Sequence, residues 1–196
     1  MVEATALSAL DGVTGPRGGA WDAGIVLTEV RFPTLLNLRG DASDAAFGSG
    51  VESVLGLVPP AAPNTVSQTD DMAVLWLAPD EWLVVASGEA EGLPGKLEAN
   101  LSGVFATVVD LSDNYVCIRI EGAHARRVLQ KGWTLDLHPR AFGIGQCAQS
   151  MLAHAAVILR QISDEPGYEL IVRPSFAKYT WEWLVDACAE YGHRVG

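Results

Sequence analysis

Asp80 and Glu81 are adjacent carboxylates within LWLAPDEWLVV, with Trp76 and Trp82 on either side. Paired acids framed by indoles are the residue types of a general acid and its partner base. The same stretch also fits the polar tip of a buried hairpin, because Pro79 suits the second position of a type I turn and Asp80 the third. Asp110 and Asp113, in VVDLSDN, are the other acids placed for chemistry. An acid at a strand end beside a loop can serve as a general base, although serine and aspartate are also ordinary turn formers. No serine or cysteine stands in a G-x-S-x-G elbow, and nothing assembles a triad.

Gly143–Ala148, GIGQCA, formally matches G-x-G-x-x-A, and Asp164 lies roughly 20 residues further on, where a dinucleotide motif places an acid. The context opposes nucleotide binding. HPRAF stands where a buried strand is required, and without a following helix there is no N-terminus to hold a pyrophosphate. His124, His138, His154 and His193 lack the spacing of metal ligands. Cys117, Cys147 and Cys188 are odd in number, far apart and set among apolar neighbours. They read as small buried hydrophobes and not as a disulfide framework or zinc cluster, which fits a cytoplasmic protein.

The elements that position these residues follow from periodicity. EVRFPTLLNLRG reads as a strand ending at Gly40. A helix follows, with Asp41 as expected N-cap, Phe47, Val51, Val54 and Leu55 on one face, and Gly56 as its stop. MAVLWL and EWLVVAS form two strands, and a second helix starts near Pro94. FATVVDLSDNYVCIRIEG is a pair of strand-like runs, AHARRVLQKG a compact helix and GYELIV a strand. SFAKYTWEWLVDACAEYG is a long helix with Ser175 as expected N-cap.

The same order occurs twice. An offset of 82 residues carries Gly40 onto Gly122, Leu38 onto Ile120, Phe47 onto Leu129, Val51 onto Trp133 and Leu55 onto Leu137. It also sets Leu75, Trp76 and Leu77 against Val157, Ile158 and Leu159. An offset of 86 then matches Trp82 to Tyr168, Val84 to Leu170 and Val85 to Ile171. This repetition points to an internal duplication and makes 147–160 strand-like. The expected fold is α+β, with two similar halves of antiparallel strands backed by helices, at 25–104 and 105–196. Residues 1–24, rich in Gly and Ala, read as an arm that is flexible or ordered against a partner.

The 24 acidic residues outnumber 13 basic ones, for a formal net charge of −11. That field repels nucleic acid and anionic lipid. No stretch nears the ~20 apolar residues needed to span a bilayer, and the N-terminus lacks the pattern of a signal peptide. The last helix is apolar around too much of its circumference for one packed face. The expectation is that its Trp181 and Val185 side is covered by the arm or by another protein, with Trp21 as an aromatic anchor in the arm.

LLNLRGD, LWLAPDEWLVV, VDLSDNYVCIRIEG, LDLHPRAFGIGQCAQSMLAHAAVIL and SFAKYTWEWL together resemble the gamma subunits of bacterial heterotetrameric sarcosine oxidases, over roughly residues 28–192. That family is related to the folate-binding domain of the glycine-cleavage aminomethyltransferase, which implies an α+β fold. The resemblance implies partnership with alpha, beta and delta subunits in a complex that oxidatively demethylates sarcosine to glycine. FAD, FMN, NAD and tetrahydrofolate are then expected on the large chains and zinc on the delta chain. No cofactor, metal or catalytic residue is expected on the gamma chain. The alternative is a stand-alone folate-binding or one-carbon-transfer protein using an acid such as Asp110 or Asp113.

Overall fold

The computed structural model describes residues 7–13, 24–88 and 90–196. The first half comprises strands β1 (Val26–Val30) and β2 (Thr34–Arg39), helix α1 (Ala45–Leu55), strands β3 (Val66–Gln68), β4 (Met72–Ala78) and β5 (Glu81–Ala86), helix α2 (Leu93–Asn100) and strand β6 (Thr107–Asp110). A 3-10 turn at Ser112–Asn114 leads into the second half. There follow β7 (Val116–Glu121), α3 (Ala125–Gln130), β8 (Cys147–Leu152), β9 (Ala155–Ser163), β10 (Gly167–Val172), α4 (Pro174–Ala187) and β11 (Arg194–Val195).

Two helix starts differ from expectation for local reasons. Asp44, not Asp41, caps α1 and accepts from the Ala46 amide at 2.8 Å. Asp41 is engaged one turn earlier, where its Oδ1 accepts from the Ser43 amide (2.8 Å) and hydroxyl (2.7 Å). These bonds hold its carboxyl below the ordinary value. Helix α4 begins at Pro174 and not after a Ser175 cap. A proline in the first turn gives up an amide that has no intrahelical partner anyway. Gly56 closes α1 as expected, left-handed at φ 66.

The strands form two antiparallel sheets, ordered β3-β4-β5-β2-β6 and β8-β9-β10-β7-β1-β11. In each half a β-α-β pair encloses an antiparallel strand, the arrangement of a ferredoxin-like β-α-β-β-α-β unit. The two halves thus share one strand order. The second sheet differs at one edge, where β1 is inserted between β7 and β11, pairing antiparallel with β7 and parallel with β11. Pairing also corrects one expected register. Leu75 faces Leu83, and its counterpart facing Glu169 is Arg160, so β4 maps onto β9 at an offset of 85 and not 82. The offset of 82 would match Leu75, an inward residue, with Val157, an outward one. A shift of odd number exchanges the two faces of a strand.

Alternate residues divide the core into three layers. Leu35, Ala73, Leu75, Leu83 and Val85 of the first sheet meet Cys117, Cys147, Ile158 and Ile171 of the second, so the sheets pack face to face. On the outer face of the first sheet, Leu36, Leu38, Val74 and Val84 pack under Phe47, Val51 and Leu97 of α1 and α2. Ile118, Ile120, Leu159 and Leu170 do the same under α3 and α4. Within the span read as an arm, Leu10 is fully buried in this last cluster. The Asp11 carboxylate pairs with Arg31 at 2.8 Å.

Candidate functional site

The Asp80–Glu81 pair sits at the β4–β5 hairpin tip. Leu77 is the extra residue of a bulge, since pairing passes from Trp76↔Trp82 to Ala78↔Glu81. Neither Pro79 nor Asp80 has positive φ, and a bulge supplies the twist that such a two-residue turn lacks. Both acids are tied to β2. Arg39 reaches Asp80 at 3.3 Å and Glu81 at 2.8 Å, and Asn37 donates to Glu81 at 2.7 Å. Trp82 is wholly buried, its Nε1 donating to the Pro60 carbonyl at 2.8 Å, with the Phe47 ring 5.3 Å away. These residues lock a hairpin.

Asp110 is a turn former in the same sense. Its Oδ1 accepts from the Ser112 amide at 2.9 Å and hydroxyl at 2.6 Å, and Ser112 Oγ in turn accepts from the Leu35 amide at 3.1 Å. Asp110 and Asp113 lie on the wall of an open recess of about 720 Å³ that also includes Phe32, Thr34 and Glu91. GIGQCA forms a tight turn in which Gln146 Oε1 accepts from the Gly143 amide at 2.7 Å. It runs into strand β8 and not into a helix. The three cysteines are buried, and desolvation raises their thiols, Cys147 to about 11 and Cys188 to about 12.

Of the residues expected at a partner surface, Trp21 lies outside the described residues. Trp181 is 2 % exposed and packs within the chain's own core, and Val185 is half-buried against the same cluster. The buried stripe of α4 is Ala177, Thr180, Trp181, Leu184 and Ala187, and Phe176 stands at its edge, exposed. One feature that periodicity does not reveal is a lip joining the two halves. Leu7, Phe32, Pro33, Tyr115 and Pro174 line a recess of about 320 Å³. Phe32 is 38 % exposed and left-handed at φ 48, a strained conformation for a bulky side chain.

Among the described residues no group of three or more His, Cys, Asp or Glu side chains could hold a metal ion. Between the sheets, Leu75, Leu83, Cys117 and Ile171 fill the layer at no more than 1 % exposure. What opens between the sheet ends is a cleft of about 270 Å³, smaller than the ~300–1,000 Å³ usual for ligand pockets. No helix of the described residues is long and apolar enough to cross a membrane.

Two face-to-face antiparallel sheets backed by helices are the fold of a domain of aminomethyltransferases. The Bartonella henselae glycine cleavage system aminomethyltransferase T superposes with a TM-score of 0.61 at 19 % identity, over 83 % of this chain and 46 % of that one. A tighter relation follows from sequence. The "Sarcosine oxidase, gamma subunit family" matches residues 39–190. The sarcosine oxidase subunit gamma of Arthrobacter sp. is 37 % identical over 180 residues, spanning 88 % of this chain and 84 % of that protein. A chain of the heterotetrameric sarcosine oxidase from Corynebacterium sp. U-96 matches with a TM-score of 0.81 at 34 % identity, over 88 % of this chain and 87 % of that chain. The chain belongs to the sarcosine oxidase gamma subunit family.

Proposed function

We propose that this chain is the gamma subunit of a heterotetrameric sarcosine oxidase, contributing to assembly and no catalytic group. On this reading alpha, beta and delta chains are its partners, and the complex converts sarcosine to glycine in the cytoplasm. FAD, FMN, NAD and tetrahydrofolate reside on the large chains and zinc on the delta chain. The observation that carries the reading is the near full-length match to gamma subunits, 84 % of the Arthrobacter protein's length. The carboxylates of Asp80, Glu81 and Asp110 are engaged in hairpin and turn contacts, which agrees with it. The exposed, strained Phe32 and the adjoining Leu7 and Pro174 suit a surface covered by a partner chain. Trp21 and the half-buried flank at Val185 are further proposed contacts.

The test is affinity purification of the chain from its own cells grown on sarcosine, with a visible spectrum of the eluate. A flavin spectrum with two larger chains and one smaller one is the expected result. A colourless eluate of this chain alone that binds folate saturably would overturn the reading in favour of a stand-alone folate-binding protein.

A further inference from the structure

The facing layers of the two sheets are not chemically equivalent. Where the first half has Asn37, Leu83 and Leu75 across β2, β5 and β4, strand pairing places Arg119, Glu169 and Arg160 across β7, β10 and β9. Glu169 is 1 % exposed. It accepts from Arg119 Nε at 2.9 Å and from Arg160 Nε at 2.8 Å, with Arg160 Nη2 at 2.7 Å. Arg160 is 8 % exposed. Two guanidiniums on one carboxylate leave one positive charge uncompensated. Arg160 Nη1 and both Nη atoms of Arg119 have no hydrogen-bond or ion-pair partner among the described residues.

These arginines line the cleft of about 270 Å³ between the sheet ends. Its other wall is the β3–β4 turn, with Thr69, Asp70 and Asp71, joined by Ser87. That turn is fixed by its backbone: Thr69 N–H donates to the Met72 carbonyl at 2.8 Å and Ser87 N–H to the Asp71 carbonyl at 2.9 Å. Neither aspartate forms an ion pair with either arginine. Opposite charges therefore face one cleft without meeting.

We propose that this cleft binds a small α-amino acid as its zwitterion, the carboxylate on Arg119 and Arg160 and the ammonium on Asp70 and Asp71. A guanidinium fork matches a carboxylate in geometry and charge. A free anion would meet the two aspartates and the chain's net charge of −11. A free cation would meet the arginines. Only a ligand carrying both charges satisfies both walls, and the volume restricts it to a small one.

The test is equilibrium dialysis of labelled glycine against the protein as purified from its own cells, with wild-type chain or with one of two variants. Asp70→Asn/Asp71→Asn alters an exposed turn, and Arg119→Gln alters the half-buried member of the triad on the facing wall. Wild-type protein is expected to bind one more equivalent of glycine per chain than either variant. Acetate and methylammonium, each at roughly tenfold excess, are expected to leave that equivalent in place, since each offers one charge of the pair. Equal stoichiometry in wild-type and either variant overturns the proposal, as does displacement by acetate alone. Far-ultraviolet circular dichroism and a cooperative melt distinguish loss of the site from loss of the fold.

Discussion

Arg160 lies directly across the β9–β10 ladder from Glu169, at the position where the first half pairs Leu75 with Leu83. Both positions face the opposing sheet, so one repeat fills the layer with hydrocarbon and the other with an ion pair. Removing one member of a buried pair strands the other charge, at a cost of about 3–5 kcal/mol, whereas an apolar replacement of both is often neutral. Glu169→Leu, which leaves two guanidiniums without their carboxylate, is expected to destabilise the chain by about that amount, and Arg160→Leu by less, because Arg119 still pairs with Glu169 at 2.9 Å. The double variant, which reproduces the Leu75–Leu83 pairing beside a half-exposed Arg119, is expected to recover most of the Glu169→Leu loss. Chemical denaturation checks this, and additive losses in the double variant would refute the account.

Gly40 and Gly122 occupy equivalent places after β2 and β7 but are glycine for different reasons. A Cβ on Gly40 would come within 2.3 Å of the Phe47 ring, a side chain that can be shortened. At Gly122 the φ is +117 and a Cβ would lie 2.2 Å from the Gly24 carbonyl, where the chain enters the inserted strand β1. Gly40→Ala is expected to cost about 1–3 kcal/mol and to be partly rescued by Phe47→Leu. Gly122→Ala is expected to cost more, because backbone strain of about 1–3 kcal/mol is added, and no side-chain truncation is expected to rescue it. Thermal melts of the singles and the Gly40→Ala/Phe47→Leu double distinguish the two cases.

These particulars show what the sequence could and could not reveal. Periodicity located β2, β5, β7 and β10 with their repeat offsets, because each alternates apolar residues between two buried layers. It misplaced β4 against β9, because Leu75–Leu77 and Val157–Leu159 are apolar at every position and carry no facing information. Periodicity passes over the ion triad although its signal is present: Arg119, Arg160 and Glu169 are single charges inside otherwise apolar strands, and adjacent strands bring them level. A helical wheel shows that the Trp181 side of α4 must be covered, by the arm or by another protein, but does not say which side meets the sheet. The structure turns Trp181 inward, and Phe176 outward. Strain at Phe32 depends on a dihedral angle that no pattern encodes.

The buried thiols set an alkaline limit on stability. Desolvation raises Cys117 well above its usual value, Cys147 to about 11 and Cys188 to about 12. The folded chain thus keeps these protons after the unfolded chain, with thiols near 9, has begun to release them. Stability is fully present below pH 9 and declines as pH rises through the folded values, up to about 12. The unfolding midpoint is expected to hold steady between about pH 6 and 8 and fall above about pH 9, with a shallower fall in Cys188→Ala. Iodoacetamide at about pH 8 is expected to label the native chain slowly and the denatured chain fully, since the thiolate is the reactive form. Rapid native labelling would show that burial does not control these groups.

The proposed assembly surface predicts a coupling of stability to partner recovery at Phe32. Its left-handed backbone costs energy in the chain alone, and its ring, 38 % exposed beside Leu7 at 80 %, gains little there beyond the Arg31 guanidinium 5.1 Å from its centroid. Strain of this kind persists where a surrounding surface returns it. Asparagine tolerates the left-handed region and presents a smaller, polar side chain. Phe32→Asn is therefore expected to raise the stability of the chain by about 1 kcal/mol while reducing recovery of the partner chains in affinity purification several-fold. A surface leucine elsewhere provides the comparison: Leu135→Asn, 48 % exposed in the loop after α3, is expected to change neither. A Phe32→Asn chain that is more stable yet recovers its partners in full would remove the lip from the assembly surface. One that is less stable would show that the ring contributes to the fold, and that its dihedral angle is not a cost met by binding.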